Sequence, residues 1–453
     1  MEIRSLLGCG QDVKKIALFG LGVSNLEILR KMTDNVGIVI RSDTHLGRDI
    51  AKVDPRIVAI YDGEHSCDEI DEDVIVFSPS VRRDRYELLR AAERGVIFTS
   101  DCEMFSDSVG SPVFAVTGSD GKSTTATILS QLLRERYPTV ALCGNIGSPM
   151  LTSVASDAYA VELSSFQLTY SHPRVMRAAI TNITPNHLNW HTSFDEYRDA
   201  KLSLLRGAEE YALSADNEIL SDYIRIHGAF GVISAEKTYM ELKELYDFSV
   251  AYTAEGEHIL RNGEPYIKIA DIVRKEKHNL KNLMLALAAS DGLVSQSHAV
   301  AVARSFGGLA HRMETVAEYN GIKYIDSSID TSPSRCISTL SSLTAKCVVI
   351  LGGRKKGVAL DSLVPIVRKK ARAAVVMGEC REELYSLLTG DFKCIRAEDM
   401  RDAVEKATEA AECSDSVILS PGATSYDLYS SYAERGDDFK KQVKEYINAL
   451  KCK

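Results

Sequence analysis

The stretch Pro112–Glu135, PVFAVTGSDGKSTTATILSQLLRE, carries the reading of the whole chain. An apolar run, PVFAVTG, stops at a glycine, and an amphipathic run, TTATILSQLLRE, follows. A strand, a glycine turn and a helix in that order predict a phosphate-binding loop in Gly118-Ser119-Asp120-Gly121-Lys122-Ser123-Thr124. Backbone N–H groups at the helix start can cradle phosphates, Lys122 can neutralise them and Ser123 can reach a magnesium ion. The loop is a shortened variant, because Val116 stands where the full pattern has glycine.

Outward from this stretch, other short apolar runs alternate with amphipathic ones, which predicts α/β architecture with mainly parallel sheets. KKIALFG, VGIVI, DVIVFSPS and VIFTS precede the loop, YAVEL and AAITNIT follow it, and CVVILGG, AAVVMG and SVILSPG come near the end. The 453 residues exceed the roughly 100–200 of one domain. Three domains are expected: a Rossmann-like one at 1–110, a central P-loop ATPase-like one at 111–310 and a second Rossmann-like one at 311–453. Ligands are expected where these strands end.

A net charge of −9 gives no electrostatic reason to expect nucleic acid or an anionic membrane as partner. The cysteines form no CxxC pair, so neither a disulfide framework nor a zinc site is read from them. The N-terminus lacks a signal-peptide apolar region and no stretch has the length of a membrane span. A cytoplasmic, monomeric protein without membrane insertion is expected.

Further residues suit phosphate chemistry. Glu162 ends YAVEL, where a carboxylate could meet magnesium beside the phosphate loop. His187 and His191 lie in NITPNHLNWH; by itself such a histidine reads more readily as a hydrogen-bonding loop residue than as a ligand. Lys201 lies in FDEYRDAKLSLL, a helix expected to start with a Ser193–Glu196 capping box. Helical spacing puts it on the face of Phe194, Tyr197 and Leu204, so its amine is expected to point inward. Gly20-Leu21-Gly22-Val23-Ser24 is a degraded dinucleotide fingerprint, with Asp43 about twenty residues on.

Taken together and in order, these segments resemble the Mur ligases, the amino-acid ligases of peptidoglycan precursor synthesis. The carrying pieces are TGSDGKSTT, GNIGSP, VELSSFQL, NITPNHLNWH with YRDAK, KHNLKN, GLAHRMETV, YIDSSIDTSPSR, LGGRKKG and LSPGATSYDLYSSYAERGDDF. The resemblance runs from about Ile16 to the last helix. It implies ATP and two magnesium ions, with Ser123, Glu162, His187 and a carbamylated Lys201 as metal ligands. Lys122 and Arg312 would hold ATP phosphates, Asn279 and Asn282 would face adenine, Asp326 the ribose, and Asn145 phosphate or substrate. Lys122, His187, Lys201 and Arg312 form the implied catalytic set.

The first domain and the C-terminal segment are similar to the family member that adds D-glutamate to UDP-N-acetylmuramoyl-L-alanine. On that likeness Gly20, Leu21, Gly22, Val23, Ser24, Asp43 and Ser78 line the UDP-sugar site, and Thr331, Lys356, Ser425 and Tyr432 the D-glutamate site. Many relatives have a lysine at the position read as Ser328, and the register of the carboxylate-binding lysine rests between Lys355 and Lys356. Other readings are a different Mur-type or a folylpolyglutamate-type ligase, and a non-catalytic nucleotide-binding regulator on this fold.

Overall fold

The computed structural model describes residues 13–33, 35–46, 54–355 and 359–451. The chain divides into two compact units, Met1–Phe306 and Gly307–Lys453. Among the described residues the first unit carries a five-stranded and a nine-stranded sheet, and the second a six-stranded sheet.

The five-stranded sheet is parallel throughout, in the order Ile57–Asp62, Gly37–Ser42, Lys15–Phe19, Val74–Phe77 and Ile97–Ser100. Its central strands, IALF and VIVF, are buried at every residue. Continuous apolar runs of this kind suit strands covered on both faces.

In the nine-stranded sheet the strand Val113–Thr117 lies between Val175–Ile180 and Ala158–Glu162, parallel to both. Val140–Gly144 forms one edge, and the antiparallel strands His258–Arg261 and Glu264–Lys268 the other. The chain therefore changes sides of Val113–Thr117 between two successive strands. Such a switch point leaves a crevice at the carboxyl ends, and it brings Gly118, Glu162 and Thr181–Asn182 side by side. Helix Lys122–Leu133 starts directly after the glycine turn. It buries Ala126, Ile128, Leu129, Leu132 and Leu133, and helix Lys277–Ala289 packs along it.

The sheet of the second unit runs Glu314–Tyr319, Ile322–Asp326, Ser416–Leu419, Cys347–Gly352, Ala371–Met377 and Cys394–Arg396. Only the first pair is antiparallel. The chain is thus α/β with three largely parallel sheets. Among the described residues no helix is long and apolar enough to cross a membrane.

The helix Phe194–Ser203 starts with half of the expected capping box. Ser193 Oγ accepts the Glu196 N–H at 3.1 Å. The Glu196 carboxylate turns instead to the Thr192 N–H at 2.6 Å and to Arg82 at 2.9 Å. A guanidinium offers a charged pair of donors, and it outcompetes a single backbone N–H.

Candidate functional site

Gly118 and Gly121 have φ values of 144° and 80°. A β-carbon at Gly118 would collide with Thr181 Oγ1, and one at Gly121 with Asn282 Oδ1, so both positions require glycine. The loop is anchored from the neighbouring strand end. Asn182 Oδ1 accepts the Asp120 N–H at 3.1 Å, and Thr181 Oγ1 donates to the Asp120 carbonyl at 2.5 Å. Ser119 Oγ sits 2.7 Å from the Tyr197 hydroxyl and accepts the Thr184 N–H at 2.9 Å. Lys122 Nζ donates to the Ser119 carbonyl at 2.8 Å, and Ser123 and Thr124 occupy the half-exposed first turn of the helix.

Lys201 does point inward. Its side chain is 1% exposed, Nζ donates to the Gly118 carbonyl at 2.7 Å, and it lies 4.7 Å from the Tyr197 ring centroid. Burial, reinforced by the Lys122 ammonium, pushes its pKa well below the ordinary lysine value, against the pull of Glu162 and Asp120. A neutral amine is the form that adds to electrophiles.

Glu162 is 1% exposed at the end of its strand. One carboxylate oxygen accepts from Asn145 Nδ2 at 2.7 Å, and the other is buried without a hydrogen-bond partner. A buried carboxylate oxygen left unsatisfied is costly, and a cation at that oxygen would compensate it. The oxygen donors of Glu162 and Ser123 fit magnesium. His187 sits in a left-handed conformation, φ 55°, with its ring 5.1 Å from that of Phe166. Desolvation first, then the charges of Lys122 and Lys201, lower its pKa, favouring the neutral imidazole. His191 is buried and meets Ser165 Oγ at 2.9 Å.

The two asparagines of KHNLKN lie on helix Lys277–Ala289. Asn282 is buried against the phosphate loop, within 3.4 Å of Thr125 Oγ1. Asn279 donates to Glu276 at 2.9 Å and borders an apolar cavity lined by Ile128, Ile272, Leu283, Ala303 and Phe306. Three residues apart on one helix, the two side chains point about 60° from one another, on the same side of it.

In the five-stranded sheet the Gly20-Leu21-Gly22 turn lies against Ser78, whose side chain a β-carbon at Gly20 or Gly22 would strike. Val23 and Ser24 start the following helix, whose cap is Gly22. Asn25, which sequence reasoning passed over, is fully buried and donates to the carbonyls of Phe19, Gly20 and Val76. Its signal was a polar residue on an otherwise apolar helix face. Asp43 forms a two-point ion pair with Arg85, at 2.5 and 2.6 Å.

In the second unit Arg312 is exposed. Asp326 is fully buried, accepting from His311 Nδ1 at 2.8 Å and the Ser328 N–H at 2.8 Å. The Ser328 hydroxyl is buried without a partner. Thr331 is half-buried, Ser425 is 2% exposed and Tyr432 38% exposed. Lys355 pairs with Glu383 at 2.5 Å, and Lys356 lies outside the described residues. Arg354 and Thr424 exchange backbone hydrogen bonds, which sets the GGRKK turn beside SPGATS. Arg435, also missed, is 3% exposed and donates to the carbonyls of Gly352, Ala423 and Ser328. Burial lowers its pKa to about 10.

Comparisons with known proteins give this geometry a family. Residues 116–290 match the Mur ligase middle domain, and residues 311–423 the Mur ligase, glutamate ligase domain. The chain is 33% identical to a UDP-N-acetylmuramoylalanine–D-glutamate ligase of Ruminiclostridium cellulolyticum, over 97% of each chain. It is 32% identical to the ligase of the same name from Methylococcus capsulatus, over 96% of each. The solved UDP-N-acetylmuramate-alanine ligase of Thermotoga maritima is similar in fold, with a TM-score of 0.55 at 17% identity, covering 95% of this chain and 99% of that one. Matches of this extent, on a phosphate loop flanked by a buried carboxylate and a buried lysine, mean that the chain belongs to the Mur ligase family.

Proposed function

We propose that this chain joins D-glutamate to UDP-N-acetylmuramoyl-L-alanine at the expense of ATP, making an amide bond in peptidoglycan precursor synthesis. The observation that carries the reading is the meeting of the Gly118–Thr124 loop, the unsatisfied Glu162 oxygen and the buried Lys201 amine at one strand edge. Full-length likeness to ligases of that name selects the amino acid.

Carboxylate oxygen is a poor leaving group, so the substrate carboxyl is first activated. Its oxygen attacks the γ-phosphorus of ATP, the bond to the ADP oxygen breaks, and an acyl phosphate and ADP result. The D-glutamate amine then attacks the acyl carbon, the bond to phosphate oxygen breaks, and the amine releases a proton. The N–H groups of the loop and Lys122 hold the phosphate charge, and Arg312 is a further residue read for ATP phosphate. Glu162, Ser123, His187 and Lys201 are the residues to hold magnesium, two ions in this reading. Bound there, magnesium supplies charge neutralisation at the phosphate oxygens. The neutral Lys201 amine adds to carbon dioxide and loses a proton, giving an anionic carbamate in place of a cation. Gly20–Ser24, Asp43 and Ser78 receive the UDP-sugar, and Asn145 contacts phosphate or substrate. Thr331, Lys356, Ser425 and Tyr432 receive D-glutamate.

The test is phosphate release from ATP with UDP-N-acetylmuramoyl-L-alanine present, comparing D-glutamate with L-glutamate, L-alanine, meso-diaminopimelate and a folate substrate, with the product identified by mass. Dependence on D-glutamate with the matching amide supports the reading. Turnover with another acceptor moves the chain within the superfamily, and ATP binding without turnover supports a regulator.

A further inference from the structure

Arg82 joins two segments 108 residues apart that the proposed reaction needs together. It lies just after the Ser78–Ser80 loop. One guanidinium nitrogen donates to the Trp190 carbonyl at 2.9 Å, and the group lies 4.9 Å from the Trp190 ring centroid. The other terminal nitrogen meets Glu196 at 2.9 Å and Asp84 at 2.6 Å. Trp190 returns the contact, its indole N–H donating to the Ser80 carbonyl at 2.7 Å.

The clamp closes on His187. The His187 carbonyl accepts the N–H groups of Trp190 and His191, both at 3.0 Å. The backbone of His187 is left-handed, a conformation that a residue with a β-carbon keeps when its surroundings hold it. The Phe166 ring packs on His187, Trp190 and His191 together and, with Ser78, Pro79, Val81 and Tyr170, lines one cavity. Phe166 therefore stands between the cavity beside Ser78 and the His187 turn, and Arg82, just after the Ser78–Ser80 loop, is bonded to the Trp190 end of that turn.

We propose that Arg82 is a positioning residue that transmits occupancy of the Ser78–Ser80 loop to the His187 turn. The inference rests on the ligase reading, which places the UDP-sugar against Ser78. A ligand that fixes this loop fixes the Ser80 carbonyl and Arg82 with it, and thereby Trp190 and the turn that presents His187. A fork-shaped guanidinium can hold Trp190 and Glu196 at once, whereas a lysine ammonium offers no such planar fork.

The chain has a single tryptophan, so its intrinsic emission reports on this clamp. The full-length protein is titrated with UDP-N-acetylmuramoyl-L-alanine by calorimetry and by Trp190 emission, as wild type, Arg82→Gln, Arg82→Lys and Glu196→Gln. In the wild type the emission change saturates together with the heat. Both Arg82 variants and Glu196→Gln bind within about threefold of wild type, lose the emission change and lose about tenfold or more in kcat, with KM for the UDP substrate little moved. Arg82→Lys keeps stem and charge; full recovery of kcat and emission in that variant means that the planar fork is not needed and overturns the proposal. Heat of binding without any wild-type emission change also overturns it, as does unchanged kcat in Arg82→Gln. Absence of wild-type binding heat removes the ligase reading, and the inference with it.

Discussion

Lys201 Nζ donates a 2.7 Å hydrogen bond to the carbonyl of Gly118, which opens the phosphate loop 83 residues earlier. A lysine that is 1% exposed is tied to the backbone that cradles phosphate, beside a carboxylate oxygen that has no partner. The predictions start from this pair.

Lys201→Met is expected to abolish turnover while leaving the fold intact. Burial holds the lysine's pKa in the folded state well below its unfolded value, so between the two the unfolded chain binds more protons and stability rises with pH. In carbon-dioxide-free buffer the wild type gains up to about 1.4 kcal/mol per pH unit between the depressed folded pKa and the unfolded lysine value, and Lys201→Met lacks that slope. Urea melts across this window measure it. Labelled bicarbonate added to the wild type is expected to give a carbamate carbon resonance absent from the variant, and retained turnover in the variant would remove Lys201 from the mechanism.

Glu162→Gln keeps the shape and removes the charge. The expected outcome is a loss of about a hundredfold or more in kcat. The thermal stabilisation that magnesium and ADP together give the wild type is also lost. An unchanged magnesium response would show that the unpartnered oxygen is not a cation ligand.

Gly121→Ala places a β-carbon on the Asn282 side chain at a left-handed position. ATP affinity is expected to fall about tenfold or more, while melting shifts by about 1–2 kcal/mol. Equilibrium binding of a fluorescent ATP analogue reads the first and denaturant melts the second.

Arg435→Ala strands the carbonyls of Gly352, Ala423 and Ser328 in a buried setting. The second unit is expected to lose about 3 kcal/mol or more, and KM for D-glutamate to rise, because three turns lose a common brace. Denaturant melts and initial rates test both.

Glu196 is held at a pKa of about 2; burial alone would raise it, and the Arg82 and Thr192 hydrogen bonds overcome that. A depressed carboxyl contributes stability above its unfolded pKa and loses it as pH falls through the folded one. Acid unfolding between the ordinary glutamate value of 4.5 and about 2 is therefore expected to be steeper in the wild type than in Glu196→Gln.

The strands and the phosphate loop could be read directly because the signals are local. VFAVT is apolar at nearly every position, since a parallel strand is covered on both faces, and the glycines mark where a β-carbon has no room. The inward direction of Lys201 followed from helical spacing. The capping box failed because Glu196 has a stronger partner in Arg82, more than a hundred residues away in the chain. Spacing along KHNLKN did not tell that Asn282 meets Gly121 while Asn279 bonds Glu276.

By itself the sequence determined that this is an α/β chain with a phosphate loop at Gly118–Thr124, because strand, turn and helix are written in consecutive residues. Only the tertiary structure decided that Glu162 keeps an unsatisfied oxygen, that Arg82 clamps Trp190 and Glu196, that Arg435 braces three turns and that Asp326 is already bound by His311. Those relations are made by side chains whose partners are set by strand order and crossover, and neither periodicity nor spacing along the chain encodes which distant carbonyl or carboxylate a buried charge will meet.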